Sequence, residues 1–139
     1  MKTVEGLIQG STEWAAHRAT TRNASDAPAM MGVSPYKTRA ELVREYATGI
    51  RPEVSDSTQR LFDRGHDVEP KLRAYAERET GEDLYPITGI SDDGYLGASF
   101  DGVTMLEDSI FEGKLGNKKK MEAVRAGSIP EGDYWQVVQ

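Results

Sequence analysis

Residues 95–114, read Y-L-G-A-S-F-D-G-V-T-M-L-E-D-S-I-F-E-G-K, constrain this chain more than any other stretch. Two β-like runs flank a Glu107-Asp108 turn, the first carrying Asp101 and the second carrying Glu112 and Lys114. Side chains alternate faces along a strand, so Ile110, Glu112 and Lys114 share one face while Phe111 and Leu115 take the other. Paired as an antiparallel hairpin, the runs bring Asp101 beside Glu112. Two carboxylates that close repel each other unless a proton or a divalent cation lies between them. All-oxygen donors suit Mg²⁺ or Mn²⁺, and a neighbouring ammonium such as Lys114 can hold or polarise a water. A solvated charge pair on an exposed sheet face has the same Glu-x-Lys spacing, so the hairpin alone leaves both readings open.

Capping and periodicity place the helices. Residues 11–18 read as a short helix with a Ser or Thr cap and Trp14 as its apolar anchor. Ser25 suits the N-cap of a second helix ending near Gly32, with Pro28 tolerated in its first turn. Ser34-Pro35-Tyr36 is a turn, after which Thr38 and Glu41 have capping-box form and open a helix that Gly49 closes. Leu61, Phe62, Gly65, Val68, Leu72, Tyr75 and Ala76 recur at helical spacing over 57–80, with Gly81 as the stop. Glu69 borders that stripe. An inward carboxylate is costly unless it is paired or binds a cation, and Pro70 is expected to kink the helix beside it. A pair with Arg73 at i+4 accounts for Glu69 equally well.

Strand signals follow at 84–90, 95–101, 103–106 and 109–115, with a turn at Ser91-Asp92-Asp93-Gly94. Residues 118–126 read as a helix opening with Lys118-Lys119-Lys120, a run that suits either DNA backbone or solvent. Residues 134–139 look like the start of another helix at which the sequence stops, so the chain is expected to be C-terminally truncated.

Composition narrows the class. With 139 residues and no internal repeat, a single domain over 1–139 is expected. No cysteine is present, so neither a disulfide framework nor a thiolate cluster is available. No apolar run approaches the ~20 residues of a membrane span and no signal-peptide core opens the chain, which fits a cytoplasmic setting. The net charge of −6 argues against a general nucleic-acid coat protein. It is unevenly spread: residues 1–51 hold seven Lys/Arg against five Asp/Glu, and 52–139 hold ten against eighteen.

Asp101, a short spacer, then Glu112-x-Lys114 resembles the active-site signature of the PD-(D/E)XK nuclease superfamily, with Phe100 where that pattern usually has Pro. Seven stretches in order extend the likeness over nearly the whole chain. They are Gln9-Gly10-Ser11-Thr12-Glu13-Trp14 with Arg18; Ala24-Ser25; Gly32-Val33-Ser34-Pro35-Tyr36; and Arg64-Gly65-His66-Asp67-Val68-Glu69-Pro70. Gly97-Ala98-Ser99-Phe100-Asp101-Gly102, Phe111-Glu112-Gly113-Lys114 and Tyr134-Trp135-Gln136 complete them. Together they resemble the phage lambda-type exonuclease family, also called YqaJ-like viral recombinases.

That resemblance implies an α/β, restriction-endonuclease-like core, a mixed central β-sheet flanked by helices. Helices within 1–55 would bind the DNA end and 56–139 would form the metal-site core. It implies two divalent ions, Mg²⁺ with Mn²⁺ able to substitute, held by Glu69, Asp101, Glu112 and the Gly113 carbonyl. Lys114 would position or help deprotonate the attacking water, and Gln136 would orient it or the scissile phosphate. Arg18, Ser25 and Ser99 match positions that grip the 5′-terminal phosphate, although by residue type Arg18 also suits a solvated helix face and Ser25 a simple cap. The implied activity is 5′→3′ hydrolysis of linear double-stranded DNA to mononucleotides. It would serve phage-type recombination in a bacterial cytoplasm, by a ring-shaped homo-oligomer with a single-strand annealing partner. Leu115-Gly116 departs from the Cys-Pro often found after the Lys. The residues themselves leave open a structure-selective or restriction-type endonuclease, or a DNA-binding module with an idle site.

Overall fold

The computed structural model describes residues 1–8 and 10–139; Gln9, the first residue of the resemblance, lies outside the described residues. Two compact units share the chain. One takes Met1–Arg51, Thr88–Ala98 and Gly116–Gln139, the other Pro52–Ile87 and Ser99–Leu115. Strands β3 (Tyr85–Ile90) and β4 (Leu96–Val103) run from one into the other, so the division is not a plain N-terminal and C-terminal split.

In the first unit, α1 (Thr12–Thr20) starts where Ser11 Oγ accepts the Trp14 N–H at 3.1 Å. A two-residue strand, β2 (Arg22–Asn23), then lies parallel to β4, with Arg22 opposite Leu96 and Asn23 opposite Gly97. Gly97 has no room for a side chain, because a Cβ there would fall 2.8 Å from Thr21 Oγ1. The buried Asn23 amide satisfies its surroundings by donating to the carbonyls of Arg18 (2.8 Å) and Thr21 (3.2 Å). β1 (Lys2–Thr3) pairs antiparallel with β3.

Ser25 is not the N-cap expected of it. It sits inside a 3₁₀ turn, Ala24–Asp26, and α2 (Ala27–Met30) begins only after that, with Asp26 at its N-cap and Pro28 in its first turn. The tighter turn places three residues where the sequence suggested one continuous helix. Helix α3 (Arg39–Thr48) follows its sequence signals: the Thr38–Glu41 capping box is formed in both directions, and Gly49 at φ 71° ends it. Its Leu42 is the centre of a small core with Ala24, Ala27 and Ala29. The buried Glu45 carboxylate is neutralised by Lys37 Nζ at 2.6 Å. Helix α5 (Lys118–Arg125) is capped by Asn117, and α6 (Glu131–Val138), starting three residues earlier than expected, packs on α2.

In the second unit, α4 (Asp56–Thr80) is capped by Ser55, closed by Gly81 at φ 76°, and runs through Pro70 as one element. Its apolar stripe is less covered than its periodicity suggested: Leu61, Phe62 and Tyr75 are each more than 40 % exposed. The two runs expected at 95–101 and 103–106 are one strand, β4, because Gly102 continues the ladder instead of breaking it. β5 is only Ile110–Phe111, antiparallel to β4 with Gly102 opposite Phe111. The expected strand to residue 115 stops there because the Gly113 N–H turns to the Asp101 side chain and so leaves the ladder. The hairpin closes through Thr104, whose Oγ1 donates to Asp108 at 2.6 Å and accepts from Ser109 N at 3.2 Å, with Glu107 at φ 55°. Overall the strands form one mixed sheet in the order β1-β3-β4-β2, with β5 also on β4, accompanied by helices.

Candidate functional site

Asp101 is the focus of the second unit. The register sets Gly102 against Phe111, so Asp101 and Glu112 follow directly beyond the last pair of the ladder, and the Glu112 charge is felt at Asp101. Asp101 is 9 % exposed, and its Oδ2 accepts the Gly113 N–H at 2.7 Å. Burial raises its carboxyl from 3.8 to about 6, and the Glu112 charge adds to that rise. The Gly113 hydrogen bond works against it, Glu69 raises it further and Lys114 lowers it. Three carboxylates from a helix and two chain segments therefore share one electrostatic environment.

Each of the three is also engaged locally. Glu112 is paired with Lys114 Nζ, and Glu69 Oε1 lies 3.1 Å from His66 Nδ1. The Glu69–Arg73 pair that the spacing allowed is not formed; Arg73 Nη1 donates instead to the Asp101 main-chain carbonyl at 2.5 Å. Among the described residues no three His, Asp or Glu side chains converge on a point that could hold a metal ion. The chemistry of the donor set nevertheless fits a hard divalent cation: all donors are oxygens, and the Glu112 and Glu69 charges add to the rise that burial gives the Asp101 carboxyl. Gly113 permits the crowding, since a Cβ there would lie 3.1 Å from Leu72 Cδ1 and 3.5 Å from Asp101 Oδ2.

Ser99 is half-buried on β4 of the same unit. Arg18, Ser25 and Gln136 belong to the first unit. There Arg18 Nη2 donates to Ser25 Oγ at 2.7 Å, so two of the residues matched to phosphate binding are joined. The Arg18 guanidinium also stacks 4.6 Å from the Trp14 ring centroid. Burial lowers the Arg18 pKa, opposed by the Asp26 charge and aided by Arg51. Gln136 is half-buried on α6. Of the three lysines opening α5, Lys120 is tied to Asp133 at 2.8 Å.

Sequence reasoning placed Arg73 only as a helix partner of Glu69. A side chain that crosses to a strand carbonyl 28 residues away leaves no spacing signal. Asp26, Tyr46 and Arg51 around Arg18 were missed for the same reason.

A family model, the YqaJ-like viral recombinase domain, matches residues 13–139. Among solved structures, the chain is similar to the alkaline exonuclease LHK-Exo from Laribacter hongkongensis, at 28% identity and a TM-score of 0.65. It is similar also to LHK-Exo in complex with dAMP, at 28% identity and a TM-score of 0.64. Each match covers 91% of this chain, and this chain spans 64% and 65% of the respective structures. No curated protein matches the sequence. No helix among the described residues is long and apolar enough to cross a membrane.

Proposed function

The chain belongs to the YqaJ-like viral recombinase domain family, and on that premise we propose that it is a divalent-metal-dependent exonuclease acting on linear double-stranded DNA from the 5′ end. The observation that carries this reading is the buried Asp101, whose carboxyl is pushed up to about 6 by burial first and then by the charges of Glu112 and Glu69. Repulsion of that kind is what a cation relieves, and a protein site that stores it favours binding one.

Glu69, Asp101, Glu112 and the Gly113 carbonyl are the groups that would hold Mg²⁺ or Mn²⁺, two ions per site by the resemblance. When bound, such ions supply positive charge to the phosphoryl group and the departing 3′-oxygen. The chain's own part is positional and acid–base. Lys114, paired with Glu112, would orient the attacking water as an ammonium or, once deprotonated to the neutral amine, accept its proton. Gln136 has the amide chemistry to orient that water or the scissile phosphate. Arg18 and Ser25, already joined at 2.7 Å, offer a guanidinium fork and a hydroxyl that suit a terminal phosphate. Ser99 completes that set by the resemblance.

A relative that binds dAMP supports a mononucleotide product. A ring-shaped homo-oligomer and a single-strand annealing partner, in a phage-type recombination setting in a bacterial cytoplasm, follow from the same family reading.

The test uses uniformly labelled linear duplex with Mg²⁺, comparing 5′-phosphate with 5′-hydroxyl ends and including a closed circle. Mononucleotides released from phosphorylated linear ends only, and lost in Lys114→Ala, are expected. Cutting of the circle would replace the reading with an endonuclease. DNA bound in EDTA and left intact with Mg²⁺ would replace it with a binding module.

A further inference from the structure

We propose that Arg73 is a positioning residue for the metal-ligand set, clamping the strand that carries Asp101 to the helix that carries Glu69. This inference rests on the exonuclease reading above and deepens it.

The guanidinium of Arg73 reaches from α4 to the main-chain carbonyl of Asp101 at 2.5 Å, in a partly buried contact. It therefore holds the backbone of the very residue that supplies the central carboxylate. Because the contact is to the carbonyl, it takes neither carboxylate oxygen, and Oδ2 is left to Gly113 N. Arg73 stands one helical turn beyond Glu69, so its tether links the stretch of α4 that carries Glu69 to the main chain of Asp101. Leu72, next to Arg73, abuts Gly113 so closely that a Cβ on Gly113 would lie 3.1 Å from it. Consecutive residues of α4 thus set both neighbours of the site: Arg73 sets Asp101, and Leu72 sets the segment running from Glu112 to Lys114.

Metal ligands need this kind of support. A cation site works when its donors are held to within a fraction of an ångström, and outer contacts that orient ligands commonly carry about 10- to 100-fold in metal affinity or activity. A guanidinium suits the task because it is planar, permanently charged and limited in the geometries it can hold, whereas an ammonium is a point charge on a mobile stem. If Arg73 only held the fold together, its loss would lower the melting temperature and leave cation affinity, measured well below that temperature, unchanged.

The experiment titrates the full chain with Mn²⁺ alone by calorimetry, with no DNA present, alongside thermal melts. It compares the wild type with Arg73→Met, Arg73→Lys and Arg78→Met, the last an exposed arginine on the same helix. Arg73→Met should weaken Mn²⁺ binding about 10- to 100-fold, Arg73→Lys about three- to tenfold, and Arg78→Met should match wild type. A folded Arg73→Met with wild-type affinity overturns the proposal, as does an equal loss in Arg78→Met. If Arg73→Met does not fold, Arg73→Lys decides: wild-type affinity there overturns the clamp. A wild type that binds no Mn²⁺ overturns the metal-dependent reading and this one with it, whereas intact wild-type binding with indifferent variants overturns only this one.

Discussion

Asp101 is the buried carboxylate of the candidate site, and its titration gives a signed consequence. Its carboxyl is raised from 3.8 to about 6, chiefly by burial and then by Glu112. Between those values the folded chain holds a proton that the unfolded chain has released, so stability falls as pH rises through the window. Above it, Asp101 is a charged group that folding disfavours. Asp101→Asn keeps an oxygen for the Gly113 N–H and removes the charge. In EDTA, this variant should therefore be more stable than wild type at pH 8, by roughly 1–3 kcal/mol, with the difference vanishing near pH 4. Thermal melts across pH check it, and a variant less stable than wild type at pH 8 would contradict the assignment. Ser25 supplies a second test. As it caps no helix, Ser25→Ala should shift stability by less than about 0.5 kcal/mol. It should nevertheless reduce discrimination between 5′-phosphate and 5′-hydroxyl ends, because the hydroxyl that meets Arg18 is gone.

At the scale of elements, what was legible in the sequence is what carries its own punctuation. α3 and α4 were placed nearly to the residue because Thr38 with Glu41, Gly49 and Gly81 each perform the local bonding their types favour, while the Ser55 cap of α4 was not read from the sequence. The antiparallel hairpin that carries Asp101 on its first strand was legible too, since a defined turn sets the register of Gly102 against Phe111. β1 and β2 were invisible because two residues have no periodicity, and what makes Arg22–Asn23 a strand is a partner over seventy residues later. The overlong β5 had a different cause: alternation said strand to Leu115, but a side-chain acceptor on Asp101 took the Gly113 amide. The α3 cap gives a clean energetic test. Thr38→Ala removes the acceptor for Glu41 N and the hydroxyl that donates to its carboxylate, and should cost about 1 kcal/mol in chemical denaturation. Gly97→Ala, pressed against Thr21 within the first unit, should cost about 1–3 kcal/mol, partly restored by Thr21→Ala.

For the whole molecule, net charge and local charge act in opposition on DNA. A chain at −6 repels a polyanion, and residues 52–139, with eighteen acids against ten bases, hold all three carboxylates of the candidate site. Arg18 with Ser25 would then have to draw in a DNA end against that field. On the proposed reading, a divalent cation would resolve the conflict twice, by relieving repulsion among Glu69, Asp101 and Glu112 and by offsetting the charge that DNA meets. Binding and cleavage should accordingly separate. With Ca²⁺ in place of EDTA, affinity for a 5′-phosphorylated duplex end should rise at least about tenfold. Neutralising the site by Glu69→Gln, Asp101→Asn and Glu112→Gln together should reach a comparable affinity in EDTA alone, respond no further to Ca²⁺, and release no nucleotide with Mg²⁺. Fluorescence anisotropy at fixed ionic strength measures the first two outcomes and product release the third. If the neutral variant binds no better than wild type in EDTA, the three carboxylates are not what holds DNA off, and the cation's role is confined to the chemical step.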